Sequence, residues 1–226
     1  MAGTGCPGRE KRNSLPDYYT TVADDLIGFC GSANGRIWVD LGCGSGGVAL
    51  ALMGKLPESF MILLDPDARA LADALLAARD RGVKDRTVAV TGTAECIPMP
   101  DESVDVVVSR GSFYFWKDRA QGLREIWRIL RPGGRAMIGG GLGRDYPEWA
   151  RKEFIRRRRK SAENKGPEAA KEFAEARSPE TFRRLAEEAH LPGFTVTGEG
   201  GLGTEDNNTG MGIWLQFEKK EEDVNE

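Results

Sequence analysis

The 226-residue sequence is poor in histidine and cysteine, which bind transition metals and, in the case of histidine, act as a base near pH 7. It has a single histidine, His190, and four scattered cysteines, none of them in a C-x-x-C pair. Zinc knuckles and disulfide scaffolds need closely spaced or paired cysteines. We therefore expect reduced thiols in a cytoplasmic protein and no metal site. His190 is expected at a helix end, where the helix dipole favours it.

Long apolar runs and an excess of charge are also missing. No segment approaches the ~20 consecutive apolar residues of a membrane-spanning helix. The N-terminal stretch MAGTGCPGREKRNS lacks the apolar core of a secretory signal. A formal net charge of −3 gives no general attraction to nucleic acid or anionic membranes. We therefore expect no membrane partner and do not favour nucleic acid as a partner.

Apolar runs alternate with amphipathic stretches along most of the chain. This alternation is typical of an α/β fold, with a mostly parallel sheet and helices on both faces. Seven strands are predicted from short runs rich in branched residues: Ile37–Leu41, Phe60–Asp65, Thr87–Thr91, Val104–Ser109, Arg135–Gly139, Phe194–Gly198 and Gly212–Phe217.

Apolar residues at helical spacing predict the connecting helices. One helix runs from about Asp17 to Phe29, before the first strand. Another follows the second strand with Pro66 in its first turn. A third covers RAQGLREIWRIL and stops at RPGG, and a fourth begins after the N-cap residue Ser178.

The stretch Asp145–Arg177 interrupts this alternation with two polar helical pieces joined near NKGPE. We interpret it as an insertion at the edge of one domain. The domain is expected to cover residues 14–218, with the insertion at about 145–177. Residues 1–13 and 219–226 are predicted to be disordered tails.

The segment VDLGCGSGGVALAL predicts a strand, a tight turn and a helix, and its glycines suit two ligands. Gly42, Gly44 and Gly47 have the G-x-G-x-x-G spacing of dinucleotide-binding turns. Gly42, Gly44 and Gly46 have the G-x-G-x-G spacing of S-adenosylmethionine (SAM) enzymes. Both spacings bring the backbone close to a ligand, so the glycines alone leave both ligands open.

Three further features favour SAM. Asp40 precedes the turn, where a buried carboxylate would repel a diphosphate but suit the ammonium and sulfonium groups of SAM. GTAECIPMPDESVDVVVS places a second acidic turn before the fourth strand. REIWRILRPGGRAMIGG is a helix, a Pro-Gly-Gly break and a strand, in that order. Asp65 suits ribose hydroxyls for either ligand and does not discriminate.

Four segments make the chain resemble the class I SAM-dependent methyltransferases: VDLGCGSGG, LLDPD, GTAECIPMPDESVDVVVS and LREIWRILRPGGRAMI. The likeness runs from about Tyr18 to Phe217 and is greatest to the small-molecule branch with the ubiquinone and menaquinone methyltransferases. SRGSFYFWKD and IGGGLG further resemble a group of small prokaryotic methyltransferase-like proteins. The resemblance implies a Rossmann-like sheet whose last strand is antiparallel, with SAM as cofactor and S-adenosylhomocysteine (SAH) as product.

The resemblance also implies residues at the methionine end of SAM. Asp40 and the backbone of Gly42, Cys43 and Gly44 would hold this end, in the turn that Gly46 completes. Ser109 and Arg110, at the end of the fourth strand, would lie beneath it and face the substrate. Tyr19 would close over the cofactor.

At the adenosine end, the resemblance implies that Asp65 binds the ribose and that Pro66 packs beside the adenine. Ala94 and Glu95 would line the adenine edge. Members of the family commonly have Gly-Asp-Ala where this chain has Gly92-Thr93-Ala94. Thr93 therefore weakens the adenine contact unless Glu95 or a backbone N–H replaces the missing carboxylate.

The catalytic residues stay open, with Arg110, Tyr114 and Tyr19 as candidates. Arg110 either anchors a substrate carboxylate or phosphate or pairs with a nearby acid. Tyr114 and Trp116, with their phenylalanine neighbours, either form an aromatic wall or pack in the core. Tyr19 and Tyr18 either orient a nucleophile or only pack on their helix.

Arg156–Lys160 is the one strongly basic run in the sequence. Such a run either attracts RNA or an acidic partner or forms a solvated helix face. No aromatic interleaving or second basic patch supports RNA, so we favour the solvated face.

The sequence therefore predicts a SAM-dependent methyltransferase that acts on a small molecule by in-line displacement. The main alternative is a SAM-binding protein that lacks catalysis or serves as a partner subunit, suggested by Thr93 and the lack of a catalytic histidine. An RNA or protein methyltransferase and an NAD(P)-dependent oxidoreductase are weaker alternatives. The acceptor atom, the pathway and the oligomeric state do not follow from the sequence.

Overall fold

The computed structural model describes residues 15–32, 35–198, 200 and 212–220. They form one seven-stranded sheet with the order β3-β2-β1-β4-β5-β7-β6. Its strands are β1 (Ile37–Leu41), β2 (Phe60–Asp65), β3 (Thr87–Thr91), β4 (Val104–Arg110), β5 (Leu130–Gly140), β6 (Thr195–Gly198) and β7 (Ile213–Glu218). Strands β1 to β5 pair in parallel, and β7 is antiparallel to both of its neighbours. The Rossmann-like sheet with a reversed last strand is confirmed.

Helices cover both faces of the sheet, as predicted. They are α1 (Tyr19–Cys30), α2 (Gly47–Met53), α3 (Ala68–Asp80), α4 (Arg119–Ile129), α5 (Glu148–Glu163), α6 (Pro167–Glu175) and α7 (Pro179–Glu188). Helices α1, α2 and α3 share one hydrophobic cluster, and α4 and α7 share the other. None of the described helices combines the length and hydrophobicity of a membrane-spanning segment.

The central strands are apolar on both sides because both faces of the sheet are covered. In β4, Val107 packs in the cluster of α4 and α7, while Val106 and Val108 pack in the cluster of α1, α2 and α3. All three are fully buried. This double burial explains the continuous apolar run VDVVVS and holds the end of β4 in a fixed position.

The largest boundary difference from the sequence prediction is at β5, which begins at Leu130 instead of Arg135. Helix α4 does stop just before RPGG, at Ile129. However, RPGG lies within an irregular first part of the strand. The pairing with β4 shifts register there, between Leu130 opposite Val104 and Arg135 opposite Val106.

Two helix starts test the predicted capping residues. Ser178 caps α7 by accepting a hydrogen bond from the Thr181 N–H at 3.1 Å, which confirms that prediction. The prediction for α3 is wrong, because Pro66 precedes the helix instead of lying in its first turn. Asp67 is the N-cap, and its side chain accepts from the Arg69 N–H at 2.9 Å.

The insertion between β5 and α7 forms the two helices α5 and α6, as predicted. Helix α5 packs through a small cluster of its own that contains Leu142, Tyr146, Ala150 and Ile155. The predicted tail at 1–13 lies outside the described residues, as does most of the tail predicted at 219–226, from residue 221 onward. Lys219, predicted to start the second tail, belongs to the fold: it is buried, and its ammonium lies 3.0 Å from the Glu102 carboxylate.

Candidate functional site

Two neighbouring cavities open at the carboxyl ends of the strands. One, of about 860 Å³, lies beside the ends of β1 and β2, and the other, of about 460 Å³, lies beside the end of β5. Arg110 and Gly111, at the end of β4, line both cavities. The strand order reverses between β1 and β4, where ligands bind in open α/β sheets. The larger and the smaller cavity are therefore adjacent candidate sites.

The larger cavity brings together most of the site residues expected from the sequence. These are Tyr19, Asp40, Gly42, Cys43, Gly44, Asp65, Pro66, Thr93, Ala94, Glu95 and Arg110. They come from α1 and from the ends of β1, β2, β3 and β4, so they converge only in the folded chain.

Gly46 and Ser109 were expected at the cofactor, but neither lines the cavity. Gly46 is the left-handed N-cap of α2, and a Cβ there would lie 3.0 Å from the Cβ of Ala74. Ser109 is fully buried, with its hydroxyl 2.6 Å from that of Ser112. Ser112 lines the cavity instead and donates to the Leu41 carbonyl. The sequence analysis missed Ser112, because only the turn after β4 brings it to the site.

The backbone N–H groups of the glycine turn are used within the fold. Those of Gly42 and Cys43 donate to the Leu64 carbonyl at 2.7 and 3.2 Å. The Gly44 N–H donates to Asp65 Oδ2 at 2.9 Å. These three amides therefore do not form a cradle for a diphosphate, which needs free donors. The Gly42 carbonyl, by contrast, accepts no hydrogen bond from any described residue.

Asp40 supplies a buried carboxylate beside this turn. It is 2% exposed, and its Oδ2 accepts from the Ala49 N–H at 3.1 Å. Burial, with a smaller contribution from the negative charge of Asp65, raises the pKa of Asp40 to about 7. Both carboxylates line the larger cavity, so this end of the site favours a cation over an anion.

Two glycines of the turn have distinct steric roles. A Cβ on Gly42 would lie 2.2 Å from the Cβ of Ser112, so the close packing of these segments requires glycine. Gly44 has φ +52°, and a Cβ there would meet nothing within 4 Å. Gly44 lines the cavity, so its open side leaves room for a ligand.

The adenine end expected from the sequence is organised by Glu95. Its Oε1 accepts from the backbone N–H groups of Lys117 and Asp118 at 2.6 and 3.3 Å. Burial acts to raise the pKa of Glu95, but these hydrogen bonds lower it below its usual value. Glu95 thus orders the start of α4. Thr93 lines the same cavity and brings no carboxylate of its own.

The aromatic segment after β4 is divided between three environments. Phe113 is fully buried, with its ring 4.9 Å from that of Phe182. Phe115 and Trp116 line the larger cavity, and Phe115 is 83% exposed. Tyr114 lines the smaller cavity. Phe113 therefore packs in the core, whereas Tyr114, Phe115 and Trp116 form parts of the cavity walls.

Arg110 is held by neutral groups. Its Nε and Nη2 donate to the Gly141 carbonyl at 3.1 and 2.9 Å. Its Nη1 donates to the Tyr18 hydroxyl at 3.2 Å, and the guanidinium lies 4.2 Å from the centre of the Tyr18 ring. No described carboxylate pairs with it, so the salt-bridge interpretation of Arg110 does not apply to this part of the chain.

The basic run on α5 is not simply a solvated face. Arg156 and Arg157 both pair with Glu153, at 2.6 and 2.7 Å. However, Arg157 and Arg158 line the smaller cavity. Arg157 is exposed, as expected for a solvated face, but Arg158 is partly buried because the insertion folds back over the end of β5. The expectation is therefore wrong for Arg158.

Neither His190 nor the described cysteines are placed to act as a base or to bind a metal ion with other described residues. His190 is exposed just beyond α7, with φ +56°, and lines neither cavity. Burial and the nearby carboxylates of Asp40 and Asp65 raise the pKa of the Cys43 thiol, which keeps it protonated. No three described His, Cys, Asp or Glu side chains are arranged to hold a metal ion.

Comparison with known proteins shows similarity to methyltransferases. The family described as "Methyltransferase domain" matches residues 39–138. Over 117 residues the chain is 32% identical to the chloroplastic 2-methyl-6-phytyl-1,4-hydroquinone methyltransferase of Arabidopsis thaliana, covering 52% of this chain and 32% of that protein. Over 120 residues it is 39% identical to an uncharacterised methyltransferase of Mycobacterium tuberculosis, covering 53% of this chain and 44% of that protein. The chain thus spans less than half the length of these curated relatives.

A solved structure matches nearly the whole chain. It is the crystal structure of a protein of Methanococcus maripaludis described as a SAM-dependent methyltransferase. The TM-score is 0.72 at 28% sequence identity, over 90% of this chain and 86% of that one.

Proposed function

We propose that the chain is a class I SAM-dependent methyltransferase, which binds SAM in the larger cavity and methylates a small molecule in the smaller one; the matching methyltransferase domain model and the similar solved structure support this. The observation that carries the proposal is the polarity of the glycine turn. Its three amides are used internally, while the Asp40 carboxylate and the Gly42 carbonyl remain as acceptors. These acceptors suit the ammonium group of SAM, and a diphosphate at this turn would find the amides of Gly42, Cys43 and Gly44 already occupied.

The remaining lining residues fit the rest of SAM. The Asp65 carboxylate accepts from Gly44 and Asp67, one hydrogen bond on each oxygen. An ionised carboxylate has about four acceptor positions, so both oxygens can also accept ribose hydroxyls. The cavity of about 860 Å³ lies within the ~300–1,000 Å³ of small-molecule sites. Ala94 and Pro66 give apolar contact for the adenine.

The chain's role in methyl transfer is to align the reactants and exclude water. Bound SAM would supply an activated methyl group, which an acceptor lone pair could displace from sulfur, with the carbon–sulfur electrons left on sulfur and any acceptor proton released to solvent. Arg110 and Gly111 line both cavities, so they place the acceptor against the methyl-bearing end. Tyr19, Phe115 and Trp116 shield the larger cavity.

Calorimetric titration of the protein with SAM, SAH, NAD and NADP tests the cofactor. We expect SAM and SAH to bind and the dinucleotides not to bind. Asp40→Ala should abolish SAM binding, whereas Asp73→Asn, which removes an exposed carboxylate on α3, should leave it unchanged. Binding of a dinucleotide without SAM would reverse the proposal.

Turnover is tested separately with SAM carrying a tritiated methyl group and a metabolite extract. We expect label to appear in a small molecule and SAH to accumulate. Tight SAM binding with no transfer from any extract would favour the alternative of a SAM-binding protein without catalysis.

A further inference from the structure

Four arginines line the smaller cavity, and two of them, Arg110 and Arg177, have no carboxylate partner among the described residues. Arg110, Arg157, Arg158 and Arg177 line it, and its described lining contains no aspartate or glutamate. The other lining residues include Tyr114 and apolar side chains. A small, partly enclosed space lined in this way has a positive potential, and an anion is the ligand that such a potential favours.

Arg177 is fixed in the wall by aromatic packing. Its guanidinium lies 3.5 Å from the ring centres of both Tyr114 and Phe173. Its one hydrogen bond to a described residue goes from Nη1 to the Phe173 carbonyl, at 3.3 Å. Burial lowers the pKa of Arg177, yet an arginine stays protonated in proteins. The result is a pre-oriented cation with no described carboxylate partner and with N–H groups left to donate.

Arg110 reaches the same cavity from the end of β4. Its hydrogen bonds go to a carbonyl and a phenol, neither of which neutralises its charge. Arg158 adds a third cation beside Arg177, and its guanidinium lies 4.4 Å from the centre of the Phe173 ring. Burial and the repulsion from Arg177 lower the pKa of Arg158 to about 10.

Tyr114 adds a polar group without an assigned partner. Its hydroxyl forms no hydrogen bond with any described residue, and a Cβ on Gly140 would lie 3.5 Å from it. Both residues line the smaller cavity. The phenol is therefore in position to donate to, or accept from, a ligand there.

We infer that the methyl acceptor is an anionic small molecule, whose carboxylate or phosphate group is held by Arg177 and Arg110 while Tyr114 hydrogen-bonds a further polar atom. The inference rests on the proposed function, because the smaller cavity is an acceptor site only if the larger one binds SAM. The volume of about 460 Å³ suits one small molecule. Arg110, shared by the two cavities, sets the anion close to the transferred methyl.

The test uses the full chain saturated with SAH, because SAH fills the larger cavity without reacting. Matched probes are titrated by calorimetry: benzoate against benzamide, phenyl phosphate against phenol, and inorganic phosphate alone. We expect each anion to bind at least ~10-fold tighter than its neutral counterpart, a difference of about 1.4 kcal/mol. The ratio of benzoate to phenyl phosphate affinity distinguishes a carboxylate site from a phosphate site.

Variants test whether the preference for anionic probes comes from the smaller cavity. Arg177→Gln should lower the preference for the anion about 10-fold with SAH binding unchanged, and Arg177→Lys should retain part of it because it keeps the charge. Arg183→Gln is the matched control, since Arg183 is exposed on α7 and its ion pair is with Glu180 on the same helix. Arg183→Gln should change neither the affinity for SAH nor the preference for the anionic probes.

The outcomes separate the two proposals. SAH binding without any preference for the anionic probes would overturn the inference and leave the SAM site intact. Failure of SAH to bind would overturn the proposed function, and with it the assignment of the smaller cavity to an acceptor. If Arg177→Gln does not fold, the wild-type comparison of anionic and neutral probes still decides the inference.

Discussion

The ring of Tyr19 lies against Gly47, so closely that a Cβ on Gly47 would be 2.4 Å from Tyr19 Cζ. Only glycine permits this contact between α1 and the start of α2. Gly47, the third glycine of the apparent G-x-G-x-x-G spacing, is therefore required for helix packing, because it leaves room for the ring of Tyr19. Tyr19 is also one wall of the larger cavity, so the contact joins fold and site.

Gly47→Ala should displace Tyr19 and weaken SAM binding about 10-fold, or about 1.4 kcal/mol. Calorimetry with SAM measures this. Gly28→Ala on α1 is the matched control, because a Cβ there meets nothing within 4 Å. It should raise the free energy of unfolding by about 1 kcal/mol and leave SAM affinity unchanged. Wild-type affinity in Gly47→Ala would show that Tyr19 does not cover the cofactor.

SAM affinity should depend on pH through Asp40. The pKa of Asp40 is about 7 in the free protein, and a bound ammonium favours the ionised carboxylate and lowers it. Affinity should thus be constant above pH 7 and fall about 10-fold per pH unit below it, with proton release on binding. Titrations from pH 5.5 to 8.5 measure the slope. Asp40→Asn should bind weakly at every pH and remove the slope; an unchanged slope would assign the titration to another group.

Asp40 should also make the fold less stable as the pH rises. Its pKa is raised from 3.8 to about 7, so the folded state binds more protons than the unfolded state between these values. The free energy of unfolding should therefore fall through this window, by about 1.4 kcal/mol per pH unit from this group.

Asp40→Asn should flatten this dependence and unfold at higher denaturant concentration than the wild type at pH 8. Urea unfolding at pH 5 and pH 8 measures both effects. Asp73→Asn, on the surface, should reproduce the wild-type curves. A lower urea midpoint for Asp40→Asn than for the wild type at pH 8 would show that the ionised Asp40 carboxylate does not destabilise the fold.

Glu95→Gln should loosen the segment before α4. The neutral amide accepts the Lys117 and Asp118 N–H groups less strongly than the carboxylate does, at a cost of about 1 kcal/mol. SAM affinity should fall by a smaller factor than in Asp40→Ala, because Trp116 and Lys117 line the cavity. Glu58→Gln, at an exposed position, is the control. Equal stability of the two variants, measured by urea unfolding, would contradict the role given to Glu95.

Local sequence patterns were enough for most of the fold. All seven strands were predicted, and six of them begin and end within one residue of the prediction. The exception is β5, whose first part is tied to the irregular turn at RPGG. Its position depends on pairing with β4 and on Lys219, which the sequence analysis had assigned to a tail.

The candidate site was predicted less completely. Motif positions identified Asp40, Asp65 and the glycine turn as neighbours. Ser112, which was not predicted, lines the cavity where Ser109 was expected, because the turn after β4 decides which hydroxyl reaches it. The spacing of the glycines did not reveal that Gly47 makes room for Tyr19, a residue of another helix.

The sequence by itself determined the alternating α/β order and the family motifs, because hydrophobic periodicity and turn formation depend on residues that are close together along the chain. Only the tertiary structure decided which groups remain free for a ligand. The turn amides are used by Leu64 and Asp65, and Arg110 and Arg177 meet at one cavity from distant segments. Charges that converge in this way depend on the packing of whole elements, and no local pattern records them.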